Sequence, residues 1–126
     1  MIWTKAALVV AALATPPSLA ETTAPQAPAY EPDLLRLSEI LGSVQFLREL
    51  CGTNEGTLWR DQMQGLIDST EPDTLERARI MDRYNRGYDG FRSVYRVCTG
   101  AARVAVDRYL EEGAKIAAEI AARFGK

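Results

Sequence analysis

Two cysteines that follow an N-terminal export segment constrain what this chain can fold into. The chain contains Cys51 and Cys98 and no other cysteine. Thiols that reach an oxidising compartment normally pair, so we expect one disulfide between them. Each cysteine lies at the C-terminal end of an apolar helical seam, so the bond would join two helices. There is no Cys-x-x-Cys motif, which favours a structural disulfide over the alternative, a redox-switching pair.

Residues 1–20 have the pattern of a secretory signal peptide. Lys5 supplies the positive charge, residues 6–14 form the apolar run AALVVAALA, and Ser18 to Ala20 are small enough for a signal peptidase. We therefore expect cleavage after Ala20 and a periplasmic location. The apolar run is shorter than the roughly 20 residues that span a bilayer, so we expect no stable membrane span after cleavage. A retained membrane anchor is the alternative.

Composition narrows the classes of function. Removal of the first 20 of 126 residues leaves 106, enough for one domain with a modest core. The formal net charge of -2 argues against a nucleic-acid partner, although a local patch could still favour peptidoglycan. Histidine is absent, which removes the commonest general base and the commonest metal ligand. We therefore expect no enzyme, no bound metal and no cofactor.

Apolar spacing predicts helices and no strands. Residues 21–32 form a flexible Pro/Ala-rich lead-in, and residues 33–126 a single helical domain. Apolar residues three and four apart predict helices over 33–51, 57–68, 71–97 and 101–124. The fold class is therefore all-α, a small bundle of three to four helices stapled by one disulfide. The last two helices could also be one long helix through Gly100.

Three glycines carry specific expectations. Gly52 directly follows the first helix and suits its C-terminal cap. Gly87 and Gly90 interrupt a good helical pattern, each at a cost of about 1 kcal/mol relative to alanine. They mark either a bend or a close contact with another helix.

The disulfide also predicts the arrangement of the helices. It would bring two C-terminal helix ends together, so helices one and three should run in the same direction and helix two should run back. Cα atoms of a disulfide lie only about 5.5–6 Å apart. Helices one and three should therefore be neighbours, with the short second helix displaced to one side.

A few polar and aromatic residues are candidates for an interaction site. The segment Asn85-Arg86-Gly87-Tyr88 places an asparagine and a glycine in a helix, and such local exceptions tend to have functions. Trp59-Arg60 is similar, since an arginine there could stack on an aromatic ring or bind a carboxylate. The alternative is that these residues serve packing. The aromatic seam of helix three, with arginines beside it, could instead bind a carbohydrate, although core packing is favoured.

The ordered combination of these motifs resembles a known family. It comprises Leu47-Arg48-Glu49-Leu50-Cys51, Trp59-Arg60-x-x-Met63, Asn85-x-Gly87-Tyr88-x-x-Phe91 and Tyr95-x-x-Cys98. It is similar to domain of unknown function 2385, a family of small exported alphaproteobacterial proteins, over about residues 34–120. The resemblance implies a periplasmic setting, two cysteines that form a disulfide and no established catalytic activity. It offers no catalytic residues.

Two hypotheses of function follow from the residues. The first is a non-enzymatic periplasmic helical module that binds another envelope protein, with regulation of a cell-wall hydrolase or of division as its specific version. The second is a peptidoglycan or small-ligand binding protein, based on the aromatic seam and its arginines. An enzyme that uses acid catalysis is a third, weaker hypothesis.

Overall fold

The computed structural model describes residues 10–18 and 27–124, and in these residues it contains four helices and no strand. The helices are α1 (Glu31–Leu50), α2 (Leu58–Thr70), α3 (Thr74–Val94) and α4 (Gly100–Phe124). The predicted all-α fold is confirmed. The predicted peptidase site after Ala20, residues 21–26 of the lead-in and part of the signal lie outside the described residues. Residues 10–18 are exposed and have no regular structure.

Helix α1 is the centre of the bundle because it carries apolar or small residues on all its faces. Leu34, Ile40, Val44 and Leu47 are at most 1% exposed. Helix α1 makes the three principal interfaces, with α2, α3 and α4. Contacts along the chain show that α3 runs parallel to α1 and that α2 and α4 run antiparallel to it. The predicted directions of the first three helices are confirmed.

Two glycines allow α1 and α3 to approach each other closely. A Cβ atom on Gly42 of α1 would collide with the Tyr84 carbonyl, 2.9 Å from its carbon, and would lie 3.0 Å from the Tyr88 nitrogen. A Cβ atom on Gly87 of α3 would collide with the Glu39 carbonyl, 2.9 Å from its carbon. Gly87 therefore marks a close helix contact. Gly90 does not, because its Cβ would meet nothing within 4 Å.

The predicted disulfide between Cys51 and Cys98 is present, with the two Cα atoms 4.9 Å apart. Cys51 is the C-cap residue of α1, and Gly52 follows with a φ of 79°. The Gly52 amide donates to the Glu49 carbonyl and the Thr53 amide to the Arg48 carbonyl, which is a Schellman motif. The predicted Gly52 cap is confirmed. The bond thus ties the end of α1 to the link between α3 and α4.

Helix boundaries differ from the predictions in informative ways. Helix α3 begins after Asp73 instead of at residue 71, and the Asp73 carboxylate caps it by accepting from the Glu76 amide. It ends at Val94, and residues 95–99 are not helical, which excludes one continuous helix through Gly100. Met81 lies three residues before Tyr84, a spacing that predicts one shared apolar face, yet Met81 is exposed. The close contact at Gly87 fixes the rotation of α3 about its own axis, and this rotation leaves Met81 on a side that faces away from α1.

Ion pairs between helices supplement this apolar core. Arg36 of α1 pairs with Glu112 of α4, and Arg79 of α3 pairs with the buried Glu31 of α1. Among the described helices, none is both long and apolar enough to cross a membrane.

Candidate functional site

A long apolar groove lies on α1 between α2 and α4, and we call it the α2–α4 groove. Its larger part has a volume of about 640 Å³ and an adjoining part about 360 Å³. Leu37, Leu66, Ser69 and Ala117 line both parts, so the groove is continuous. The residues that line it include no lysine or arginine, and Asp61 is the single charged one.

Small residues on both walls keep this groove open. On α2, a Cβ at Gly65 would meet nothing within 4 Å. On α4, Gly113 lets the helix backbone approach α1, where a Cβ would lie 3.1 Å from Cγ2 of Ile40. Ala114 and Ala117 continue this wall. Because both helices pack on α1, their short side chains leave a channel between them.

A small polar pocket adjoins one end of the groove, and Trp59 lines both. We call it the Gln45 pocket, with a volume of about 120 Å³. Arg48 and the Trp59 indole N–H both donate to the Glu55 carboxylate. The hydrogen bond from Arg48 is the main reason that the pKa of Glu55 is lowered. Trp59 is thereby fixed as the wall between groove and pocket.

Gln45 is the least satisfied polar side chain of this pocket. It is 7% exposed, and its Nε2 donates to Oε1 of Glu49 at 3.0 Å. Its buried Oε1 has no hydrogen-bond partner among the described residues. Oxygen acceptors, two of them carboxylates, therefore collect at the Trp59 end of the groove.

The sequence-predicted site residues do not form one site. Trp59 lines the groove, whereas Arg60 is exposed and its charge acts on Tyr84 and Tyr88 of α3. Tyr88 is half-buried, and its hydroxyl donates to Oε2 of Glu49 at 2.8 Å. That hydrogen bond is the main cause of the raised pKa of Tyr88, which the charge of Arg60 partly opposes. Arg60 and Tyr88 are therefore brought near each other, on the side of α2 away from the groove.

Asn85 and Arg86 are both exposed, and they point to different sides of α3 because adjacent helical residues diverge by about 100°. Arg86 pairs with Asp82 at 2.9 Å. Neither residue lines the groove. None of the predicted interaction residues is buried, so their assignment to a binding surface stays a prediction.

An aromatic pocket lies on the opposite side of α4, between α1, α3 and α4, with a volume of about 570 Å³. The rings of Phe91 and Tyr95 stack at 6.0 Å, and Tyr109 meets Phe91 edge-on. The Arg36 guanidinium lies 5.5 Å from the centre of the Tyr109 ring. It also donates two hydrogen bonds of 2.9 Å to Glu112, and these lower the pKa of that carboxyl. The aromatic seam thus forms part of an open pocket.

Two buried carboxylates mark the other end of α1. Glu31 and Glu76 are 7% and 5% exposed, and each has one carboxylate oxygen without a hydrogen-bond partner among the described residues. Burial, followed by the charges of Glu31 and Asp73, raises the pKa of Glu76. No group of three or more potential metal ligands was found in residues 10–18 and 27–124.

The groove was missed from the sequence, although signals for it exist. Gly65 lies on the polar side of α2, and α4 repeats alanines at 114, 117 and 121. Small residues at spacings of three and four in a helix, as in α4, are typical of close helix approach. They were not assigned a role because the sequence does not show which helices are neighbours.

Fold and surfaces together define a small disulfide-linked helical bundle with an open apolar groove. The chain belongs to the family described as protein of unknown function (DUF2385), whose model matches residues 29–124. No curated protein and no solved structure matches the chain.

Proposed function

We propose that this protein is a non-enzymatic interaction module of the cell envelope that binds a helix of a partner protein in the α2–α4 groove. One observation carries the proposal: an apolar channel runs along the central helix, and its walls are too short to close it. A water-exposed apolar groove of this size is typical of binding sites for an amphipathic helix. Regulation of a cell-wall hydrolase or of division is the specific version of this role.

The setting rests on the sequence and the disulfide. An export signal directs the chain out of the cytoplasm, and the Cys51–Cys98 bond is the kind that persists in an oxidising compartment. The disulfide is therefore consistent with the proposed periplasmic location. The lead-in before α1 would then act as a tether between the cleaved terminus and the bundle.

Two matched variants on α4 test the proposal. Ala117 lines both parts of the groove, whereas the exposed Ala118 lies about 100° further round the helix and does not line it. We expect Ala117→Arg to fill the groove and Ala118→Arg to leave it open. The mature chain and both variants are used to capture proteins from solubilised envelope, and bound proteins are quantified by mass spectrometry.

The proposal predicts one or more partners whose recovery is lost with Ala117→Arg and kept with Ala118→Arg. The same recovery with both variants, or no protein above the bead background, would contradict it. Circular dichroism of each variant shows whether the helical fold is intact.

A second candidate function is the binding of peptidoglycan or of a small ligand, and the aromatic pocket favours it. Stacked Phe91 and Tyr95 offer an aromatic face beside Arg36 and the exposed Arg108. Sedimentation of the mature chain with purified sacculi at low salt tests this function. Retention in the pellet that Tyr95→Ala abolishes would support it, and full recovery in the supernatant would exclude it.

A further inference from the structure

The two ends of the α2–α4 groove differ in charge. At the Trp59 end, Asp61 lines the groove, and Glu49 and Glu55 line the adjoining Gln45 pocket. Glu55 pairs with Arg48, whereas neither Glu49 nor Asp61 lies within ion-pair distance of a lysine or arginine in the described part of the chain. The unpartnered Gln45 oxygen adds another acceptor. This end is therefore negative and rich in acceptors.

The opposite end has no carboxylate in its lining, whereas the buried Glu31 and Glu76 lie near its Tyr30. Tyr30, Ser69, Thr70 and Phe124 are among its lining residues, and no carboxylate belongs to that lining. The Arg123 guanidinium lies 5.5 Å from the centre of the Phe124 ring. A ligand that follows the groove would thus meet a lining carboxylate at the Trp59 end and none in the lining of the opposite end.

The length of the groove sets the size of its occupant. Its α4 wall runs from Tyr109 to Phe124, which at about 1.5 Å per residue corresponds to about 22 Å. That length fits about four turns of helix. The glycine and alanine residues of the walls are small enough to leave room for the apolar stripe of such a helix.

We infer that the occupant is an amphipathic partner helix of about 14 residues that places lysine or arginine at the Trp59 end of the groove. This inference rests on the proposed function and specifies the chemistry of the partner. The apolar stripe would cover the channel over α1, and the basic side chain would reach Asp61, the charged residue that lines the groove. Charge at the groove end would then fix the direction in which the partner helix lies.

Trp59 provides the readout. The chain has two tryptophans, Trp3 in the predicted signal and Trp59, so the mature chain would contain Trp59 alone. The probe is a tryptophan-free helical peptide of 14 residues with a stripe of leucine and alanine and two lysines at one end. It is made in both polarities, and each version has a matched peptide with glutamates in place of the lysines.

We expect one of the lysine peptides to change Trp59 fluorescence and to bind about tenfold more tightly than its glutamate counterpart. Two weak surface ion pairs are enough for a tenfold difference in affinity. Asp61→Lys should remove or reverse this preference. Asp68→Lys is the control, because Asp68 is an exposed carboxylate of α2 that does not line the groove. It should leave the preference within about twofold of the original value.

Equal affinity for lysine and glutamate peptides would overturn the inference, as would equal effects of Asp61→Lys and Asp68→Lys. A mature-chain dimer that Ala117→Arg dissociates would also overturn it, because a second copy would then occupy the groove. If no peptide binds while Ala117→Arg still abolishes partner capture, the inference fails and the proposed function stands. If capture is unaffected as well, both fail.

Discussion

The close contact between α1 and α3 makes a sharp prediction about Gly87. A methyl group at this position would collide with the Glu39 carbonyl and lie 2.9 Å from the Ser43 hydroxyl oxygen. The colliding carbonyl belongs to the backbone of the central helix, so it cannot rotate away as a side chain would. Gly87→Ala must therefore push α3 away from α1 along the largest interface of the bundle.

The expected magnitude follows from two opposing effects. Overpacking of a well-packed contact costs about 3 kcal/mol, whereas the higher helix propensity of alanine returns about 1 kcal/mol. We expect the free energy of unfolding to fall by about 2 kcal/mol. For a domain of this size, that corresponds to a fall in Tm of about 10 °C.

Gly90→Ala is the matched control, since Gly90 lies on the same helix and its Cβ would meet nothing within 4 Å. It should gain about 1 kcal/mol, or about 5 °C in Tm, from helix propensity alone. Thermal unfolding of the oxidised mature chain, followed by circular dichroism, measures both variants. If the two variants raise Tm by the same amount, the glycine contact between α1 and α3 does not exist.

Three further predictions concern the disulfide and the carboxylates. Replacement of both Cys51 and Cys98 by serine should lower the free energy of unfolding in urea by about 4 kcal/mol, the loop-entropy value for a separation of 47 residues, and an unchanged midpoint would contradict this. The pKa of Glu76 is raised, so its carboxyl stabilises the fold at low pH and this contribution is lost as pH rises through the folded-state pKa. Glu76→Gln should therefore raise Tm at pH 7 and converge with the unsubstituted chain below pH 4.5, and a lower Tm at pH 7 would refute the assignment. The pKa of Glu112 is lowered, so its contribution is present above the unfolded-state pKa and lost as pH falls through the folded-state value. Glu112→Gln should cost about 0.5 kcal/mol at pH 7 because the pair with Arg36 is partly exposed, and urea unfolding at pH 7 and pH 3 should show the difference only at pH 7.

The helices and the covalent link were predictable because local signals agree with the fold. The apolar periodicity of α1 places Leu37, Ile40, Val44 and Leu47 in the core, where all four are buried. The position of Cys51 at a helix end, followed by Gly52, indicated both the cap and the parallel arrangement of α1 and α3. Such features depend only on neighbouring residues and on the length of a disulfide.

Features that depend on helix rotation were not predictable. Gly42 had no assigned role because α1 reads as an ordinary helix, and its function depends on the Tyr84 carbonyl of another helix. Gly87 was left between a bend and a close contact for the same reason. Met81 follows the period of the apolar seam, yet the rotation of α3 leaves it exposed.

The candidate interaction residues stay a prediction, and the structure shows only where they lie. Trp59 lines the α2–α4 groove. Arg60, next to it, points to the other side of α2, because adjacent residues of a helix cannot share a face. The groove itself is formed by the short residues Gly65 and Ala117, and the spacing of small residues in α4 does not show which helix faces them.

Photo-crosslinking in cells tests the central claim, that the α2–α4 groove is occupied by a partner, most directly. A photoreactive amino acid is placed at Ala117 and at Gly65 inside the groove, and at Ala118 and the exposed Gln64 outside it. Mass spectrometry then identifies each crosslinked segment. We expect positions 117 and 65 to crosslink to the same short helical segment of another protein, and positions 118 and 64 to give none of it. Crosslinks to that segment from all four positions, or from 118 and 64 alone, would contradict the claim.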